Sequence, residues 1–348
     1  MTEDTQRTTS ATTSTPWVGL KAAAFWPLRL VMDLVDRPLA WLQATFGQRA
    51  MVVFFLLPNL AIFGIFVMLP LVINVIYSFT GGSALFLDER VGVGFEQYQT
   101  LFDCRDFTDP FSCRQDAFWA GVYNTLTFML LQVPAVALTA LITALVLNRE
   151  MRGRGFWRAI FFFPVLLSPV VVGLIWKWIL ERNGLLNALL NGLGLEGTVW
   201  LGDSFWAMFW AIFVSTWAHM GFYTLILLAG LQSIPRDLYE AAAMDGTSRP
   251  RALLRITLPL LWPTMLVVLI LALIRAVQIF DEVYVLTGGG PGTSTQMLVQ
   301  YIYQTGFAAL LRNLGLAAAA SILMGLVLMV LTLLQLGIAA RRSREVAG

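Results

Sequence analysis

Residues 240–259 read EAAAMDGTSRPRALLRITLP, and they separate two of the longest apolar stretches of the chain. Apolar side chains dominate residues 204–231 before this segment and 260–284 after it, whereas the segment itself carries Arg249 and Arg251. A polar, arginine-bearing segment between two apolar runs of this length predicts a loop displayed at a membrane surface.

The composition of the whole chain agrees with a membrane location. Of its 348 residues, 58% are hydrophobic, and the mean hydropathy is +0.73. Soluble domains are much less apolar. A backbone that crosses a bilayer must satisfy its own hydrogen bonds, and the apolar runs are too long for barrel strands. The sequence therefore predicts an all-α integral membrane protein.

Six apolar runs are long enough to cross a bilayer as helices. They cover approximately residues 51–79, 118–147, 156–180, 204–231, 260–284 and 313–340. An even number of crossings places both chain ends on the same side. The sequence thus predicts a six-span domain over residues 48–341, with a loop at residues 232–259 between spans 4 and 5.

Arginine is unevenly distributed between the two sets of segments that flank these spans. After the first span, one side holds eleven arginines, namely Arg149, Arg152, Arg154, Arg158, Arg236, Arg249, Arg251, Arg255, Arg341, Arg342 and Arg344. The three segments on the other side hold five: Arg90, Arg105, Arg114, Arg182 and Arg312. Because cytoplasmic segments carry the excess of basic residues, both termini and the 232–259 loop are predicted to be cytoplasmic.

The region before the first span reads as two parts, neither of which has the apolar core of a signal peptide. Residues 1–16 are polar and rich in Thr and Ser, which predicts a disordered tail. Residues 17–47 mix aromatic and charged side chains, which favours an amphipathic helix at the membrane interface. A helix packed across the bundle is equally consistent with this pattern. Residues 342–348 are predicted to form a basic cytoplasmic tail.

The first outer segment, residues 81–117, is acidic and contains the two cysteines. It holds seven acids against three arginines. Such a segment could receive a soluble partner or could simply be solvated. Cys104 and Cys113 face the oxidising side in this topology, where their short spacing allows a local disulfide; two free thiols are the alternative.

The loop between spans 4 and 5 has helix start and stop signals. Ser233 can cap a helix whose first turn suits Pro235, and Gly246 supplies the left-handed residue that commonly ends a helix. Ser248 can cap a second helix that continues until Pro259. The pattern predicts a helix, a tight turn and a second helix; the alternative is an ordinary basic cytoplasmic loop.

In this loop, the spacing of Glu240-Ala241-Ala242, Gly246 and Ile256 to Pro259 resembles the EAA loop of ABC importer permeases. LQSIPRDLYE at residues 231–240 and YVLTGGGP at 284–291 resemble the first of the two permeases in carbohydrate importers of the maltose, lactose and glycerol-3-phosphate type. The resemblance assigns the ATPase-coupling role to Glu240, Ala241, Ala242, Asp245, Gly246, Ile256, Leu258 and Pro259.

This resemblance implies a type I ABC importer permease fold in a bacterial inner membrane. It also implies four partners: a second permease, a pair of ATPases that use ATP and Mg, an extracytoplasmic binding protein, and a sugar or polyol substrate. The chain has only two lysines, Lys21 and Lys177, and neither closes a glycine-rich phosphate loop. We therefore expect no enzyme activity and no cofactor in this chain. Its single histidine and the absence of a CxxC pair predict no metal site, and no basic patch for nucleic acid is present.

Polar side chains within spans are costly and therefore mark candidate transport pathways. Spans 4 and 5 offer such residues at helical spacing, with Arg275, Gln278 and Glu282 expected on one stripe. Together with the resemblance to maltose permease, they give as candidates Ser215, His219, Phe222, Tyr223, Arg275, Gln278 and Ile279. Arg275 could instead form an internal ion pair, and His219 an interhelical hydrogen bond.

A stand-alone secondary transporter of a small polar solute is the alternative function. It would be marked by an inverted repeat and by a membrane-embedded acid that couples to an ion. The sequence shows no such repeat, and Asp281 and Glu282 are expected near the outer end of span 5. The sequence therefore favours an importer permease.

Overall fold

The computed structural model describes residues 26–347, with side-chain surroundings for residues 51–337 and for a few positions between 36 and 47. Residues 1–25 contain the predicted disordered tail and the start of the predicted interfacial helix, and both lie outside the described residues. The chain divides into two units, Met1–Val72 and Ile73–Gly348.

The described part of the first unit is helical. Helix α1 (Trp26–Phe63) leads through a π-helical turn (Gly64–Met68) into α2 (Leu69–Ser78), which continues into the second unit. Gly47 interrupts α1 with φ of 76°, a value that glycine adopts without steric cost. This break falls where the predicted interfacial helix ends and the first apolar run begins. That residues 26–47 lie at a membrane interface stays a prediction.

The second unit is a helical bundle with one small antiparallel ladder, in which strand β1 (Thr80–Gly81) pairs with β2 (Val91–Gly92). Its further helices are α3 (Glu96–Phe102), α4 (Asp116–Leu147), α5 (Arg154–Phe162), α6 (Pro169–Leu180), α7 (Leu185–Gly192), α8 (Ser204–Gln232), α9 (Arg236–Met244), α10 (Arg249–Ala252), α11 (Leu258–Val277), α12 (Asp281–Thr287), α13 (Leu298–Tyr303) and α14 (Leu314–Ala347). The last helix continues through most of the segment predicted as a basic tail.

Within residues 26–347, five helical segments are long and apolar enough to cross a membrane. They are Met51–Ser78, Asp116–Leu147, Ser204–Gln232, Arg249–Val277 and Leu314–Gly337. The pair Arg154–Leu166 and Pro169–Gly192 makes a sixth crossing if it is one span. The predicted all-α membrane architecture is confirmed.

The third predicted span is not one straight helix. Its two parts meet at an angle of 98°. Pro164 lies in a 3-10 turn, and Pro169 opens α6 after an extended Ser168. Proline is tolerated in the first turn of a helix, but it lacks the backbone N–H that would continue a preceding helix. The backbone of Phe161 then approaches α8 so closely that only a glycine fits at position 221.

The fifth predicted span also ends early. Helix α11 stops at Val277, Gln278 leaves the helical conformation, and α12 starts separately at Asp281. Arg275, Gln278 and Glu282 therefore do not share one helical stripe, and that expectation is wrong. Helix α12 packs instead on α6, where a Cβ on Gly173 would lie 2.9 Å from the Glu282 carbonyl oxygen.

The core of the second unit forms where α4, α8 and α11 pack against one another. Its apolar centre includes Phe128, Leu227 and Val268, all fully buried. A smaller apolar cluster around Leu101 and Phe118 joins α3, α4, α13 and α14. Burial of such side chains stabilises the fold by about 1.5–3 kcal/mol each where water is the alternative. This packing holds α8 and α11 side by side.

Candidate functional site

The loop between α8 and α11 forms a helix, a tight turn and a second helix. The backbone N–H of Thr247 donates to the Ala242 carbonyl at 2.9 Å, and Gly246 has φ of 69°. Glycine reaches this left-handed conformation without the Cβ clash of other residues. The predicted left-handed end of α9 at Gly246 is confirmed.

Ser233 and Ser248 do not cap these two helices as the sequence predicted. The Ser233 hydroxyl donates a hydrogen bond to the Gly230 carbonyl oxygen of α8 instead of capping α9, which begins after Pro235. Ser248 precedes α10 but makes no side-chain cap bond. Helix α10 continues through a π-helical turn into α11, so Pro259 lies inside one helical segment, Arg249–Val277. The loop is therefore rigidly continuous with span 5.

The surface of this loop is open in the chain. The eight residues assigned to ATPase coupling divide into exposed Glu240, Ala241, Asp245, Gly246 and Pro259 and half-buried Ala242, Ile256 and Leu258. Met244 is 90% exposed and Leu254 is 64% exposed. The hydroxyls of Tyr239 and Thr257 lie 3.0 Å apart and join α9 to the base of α11. The loop thus presents apolar and acidic side chains on a braced scaffold.

A polar group connects α8 with α12 inside the bundle. The Ser215 hydroxyl donates to Glu282 Oε1 at 3.3 Å. His219 Nδ1 lies 2.8 Å from the Ser215 carbonyl oxygen and 3.8 Å from Glu282 Oε1. Ser215 and Glu282 are almost fully buried. A carbonyl only accepts, so this geometry places a proton on Nδ1.

Glu282 therefore lies beside Ser215 of α8, beyond the residue at which α11 ends. The break after Val277 lets α12 pack against α6 and α8 at this depth. Sequence reasoning left Glu282 out of the candidate site. An acid within an apolar run was the signal that could have found it, because such residues are costly in a membrane.

The remaining pathway candidates separate by exposure. Tyr223 and Ile279 are buried, as is Ser215, whereas Phe222, Arg275 and Gln278 are exposed. His219 is intermediate, with 17% of its side chain exposed. In this conformation, a solute could contact the exposed three and the edge of His219.

Arg275 occupies an unusual position. Gly230 of α8 packs against Thr264 of α11. The two helices run in opposite directions, so Arg275, eleven residues after Thr264, lies level with His219, eleven residues before Gly230. No carboxylate of a described residue lies within 4.0 Å of Arg275. The internal ion pair considered from the sequence is thus not formed in the described part of the chain.

The outer segment is ordered by local contacts. Cys104 and Cys113 form a disulfide with an S–S distance of 2.08 Å. Asp106 accepts hydrogen bonds from the backbone N–H and hydroxyl of Thr108, both at 2.8 Å. These bonds, the backbone one first, lower the pKa of Asp106 below its usual value because they favour the carboxylate. The seven acids of the outer segment, residues 81–117, are all exposed: Asp88, Glu89, Glu96, Asp103, Asp106, Asp109 and Asp116.

In the part of the chain that the structure describes, no group of three or more His, Cys, Asp or Glu side chains is placed to hold a metal ion. The candidate site thus consists of the exposed loop, the Ser215–His219–Glu282 group and the neighbouring Arg275. None of them forms a nucleophile with a spaced base.

Comparisons with known proteins agree with this arrangement. Residues 135–344 match the family described as binding-protein-dependent transport system inner membrane component. The sulfoquinovosyl glycerol transport system permease protein of Agrobacterium fabrum is 36% identical over 285 residues, covering 82% of this chain and 88% of that protein. The trehalose/maltose transport system permease protein of Thermococcus litoralis is 36% identical over 272 residues, covering 77% and 86%.

Solved structures give the same result. A crystal structure of a bacterial ABC transporter that imports the acidic polysaccharide alginate contains a chain with a TM-score of 0.71 and 27% identity, covering 86% of this chain and 98% of that one. The alginate transporter in complex with a periplasmic protein that holds an alginate pentasaccharide matches at the same TM-score, with 26% identity, covering 86% and 97%. The chain therefore belongs to the family of binding-protein-dependent transport system inner membrane components.

Proposed function

We propose that this chain is one of two permease subunits of an ATP-driven importer for a sugar or related polyol. The observation that carries the proposal is the exposed loop at residues 232–259, which is continuous with the helices that bear the candidate pathway. The relatives named for sugar transport and the alginate importer support the substrate class. We assign both termini and this loop to the cytoplasmic side of a bacterial inner membrane, because after the first span eleven arginines lie there against five outside.

ATP hydrolysis belongs to two partner ATPase subunits, which use ATP and Mg, and this chain holds no cofactor. A partner surface would receive α9 and the Gly246 turn, where three alanines allow close approach and Met244 projects. Because Tyr239 joins α9 to the base of α11, a displacement of α9 would be transmitted to α11.

A second permease would complete the pathway. Phe222, Arg275 and Gln278 are exposed along one side of the bundle and would line a cavity between the two permeases. An aromatic face and a guanidinium fork are groups that bind hydroxyl-rich solutes. An uncompensated arginine at this depth is tolerated where it faces a water-filled cavity. An extracytoplasmic binding protein would deliver the solute on the acidic outer segment, residues 81–117.

The test of the coupling role is a charge reversal in the loop. Glu240→Lys should lower the affinity for the cognate ATPase subunits and reduce substrate-stimulated ATP turnover in the reconstituted importer. Glu150→Lys is the matched control, since Glu150 is also exposed on the same side but lies in a different loop. Equal ATP turnover and assembly in both variants would contradict the proposal.

A further inference from the structure

Two arginines on α5 converge on the end of α8. When the Gln232 side-chain amide is oriented so that both its oxygen and its nitrogen have suitable partners, the oxygen accepts hydrogen bonds from Arg154 Nη2 at 3.1 Å and Arg158 Nη2 at 3.2 Å. The arginines are one helical turn apart and therefore lie on the same face of α5. A neutral amide oxygen is thus shared by two positive charges.

These charges have no counter-charge in the described part of the chain. No carboxylate of a described residue lies within 4.0 Å of Arg154 or Arg158. Both Nε atoms are buried without a hydrogen-bond partner. Two guanidinium groups held side by side repel each other, and leaving a buried donor unsatisfied costs about 1–3 kcal/mol. An anion that accepts several N–H groups would relieve both costs.

The location favours an anion that belongs to the membrane. Helix α5 is the first half of the broken third span, and Gln232 is the last residue of α8, so the arginines lie where helices leave the bilayer. Phe156 and Trp157 stand between them in the sequence and are 66% and 45% exposed. Aromatic side chains beside arginines are typical of the headgroup level.

We infer that Arg154 and Arg158 form a binding site for the phosphodiester of an anionic phospholipid such as phosphatidylglycerol. The two guanidinium forks match the geometry of phosphate oxygens, and Trp157, which adjoins this face of α5, would lie against the glycerol and upper acyl chains. Gln232 then connects a bound lipid to the beginning of the 232–259 loop. The site does not depend on which solute is transported.

The test counts lipids bound to the assembled transporter by native mass spectrometry after exchange into nanodiscs with graded phosphatidylglycerol content. The variant R154Q/R158Q should bind phosphatidylglycerol about 30-fold more weakly than the natural chain, roughly fivefold for each arginine. The control R149Q/R152Q removes the same charge from exposed arginines in the preceding turn and should keep the natural affinity. If R154Q/R158Q does not assemble, the single variants Arg154→Gln and Arg158→Gln provide the comparison.

Three results would overturn the inference. Equal loss of lipid in R154Q/R158Q and R149Q/R152Q would show unspecific attraction by basic charge. Millimolar inorganic phosphate that displaces the lipid completely would show a site for free phosphate without a contribution from the acyl chains. Release of the lipid when the ATPase subunits bind would show that the arginines serve an acidic protein surface instead.

Discussion

Replacing Gly246 by alanine tests the coupling loop at a position where the substitution changes only the energy of the backbone conformation. Gly246 has φ of 69°, and a Cβ built there meets no atom within 4 Å. The substitution therefore adds no collision. It adds the cost of a left-handed conformation for a residue with a Cβ, about 1–2 kcal/mol.

This cost should appear in the affinity for the ATPase subunits. The turn is exposed and uncrowded, so an alanine can relax to another conformation while the loop is free. The partner must then restore the left-handed turn on binding, which weakens binding by about 5-fold to 30-fold. Gly246→Asn should lose less, because asparagine tolerates this conformation better.

The measurement is a titration of the ATPase subunits onto the permease pair in nanodiscs, with Gly194→Ala as the matched control. Gly194 also has positive φ, 78°, with no atom within 4 Å of a built Cβ, but it lies outside the loop. Its alanine variant should carry the same local strain and bind the ATPase normally. Equal affinities for Gly246→Ala and Gly194→Ala would refute the assignment of this turn to ATPase docking.

Three further predictions concern the other sites. Glu282→Ala leaves the buried Ser215 hydroxyl without its hydrogen-bond acceptor, so it should lower the free energy of unfolding, measured by chemical denaturation, by about 2–4 kcal/mol. Asp281→Ala, at an exposed position, should change that free energy by less than about 0.5 kcal/mol. Arg275→Ala should abolish uptake into proteoliposomes with normal ATPase binding, and Arg275→Lys should keep part of it; normal uptake by the alanine variant would place the pathway elsewhere. The pair Cys104→Ser and Cys113→Ser should destabilise the short outer loop by about 2–3 kcal/mol and expose it to limited proteolysis, and unchanged cleavage would contradict a stabilising role of the bridge.

The apolar runs predicted the crossings because bilayer thickness sets a length that hydropathy alone reveals. The left-handed turn at Gly246 followed equally from local chemistry, since few residues other than glycine adopt that conformation readily. The break after Val277 did not follow from the sequence. No proline marks it, and the apolar Ile279 and Phe280 follow Gln278. Its position depends on the packing of α12 against Gly173, which lies more than 100 residues away in the sequence.

The same limitation explains the mixed outcome for the pathway residues. Helical spacing correctly placed Ser215, His219 and Phe222 along one side of α8, but burial changes along that side. Glu282 covers Ser215, whereas nothing in the described chain covers Phe222 to the same extent. Periodicity gives the direction of a side chain, and only the tertiary arrangement decides what lies opposite it.

The break at Gln278 also separates two mechanical roles within span 5. Helix α11 is continuous with the 232–259 loop through Arg249–Val277, so we expect movement of that loop to reach Arg275 directly. Glu282 lies beyond the break and packs on α6 across Gly173, outside this continuous helix. Because α8 adjoins both α11 and α12, a shift of α11 along α8 would change the distance between Arg275 and the Ser215–His219–Glu282 group. The distance between spin labels at the exposed positions 222 and 278 should therefore depend on nucleotide, whereas the distance between labels at the exposed positions 177 and 281, on α6 and α12, should not. An equal response of the two pairs would mean that span 5 moves as one body despite its break.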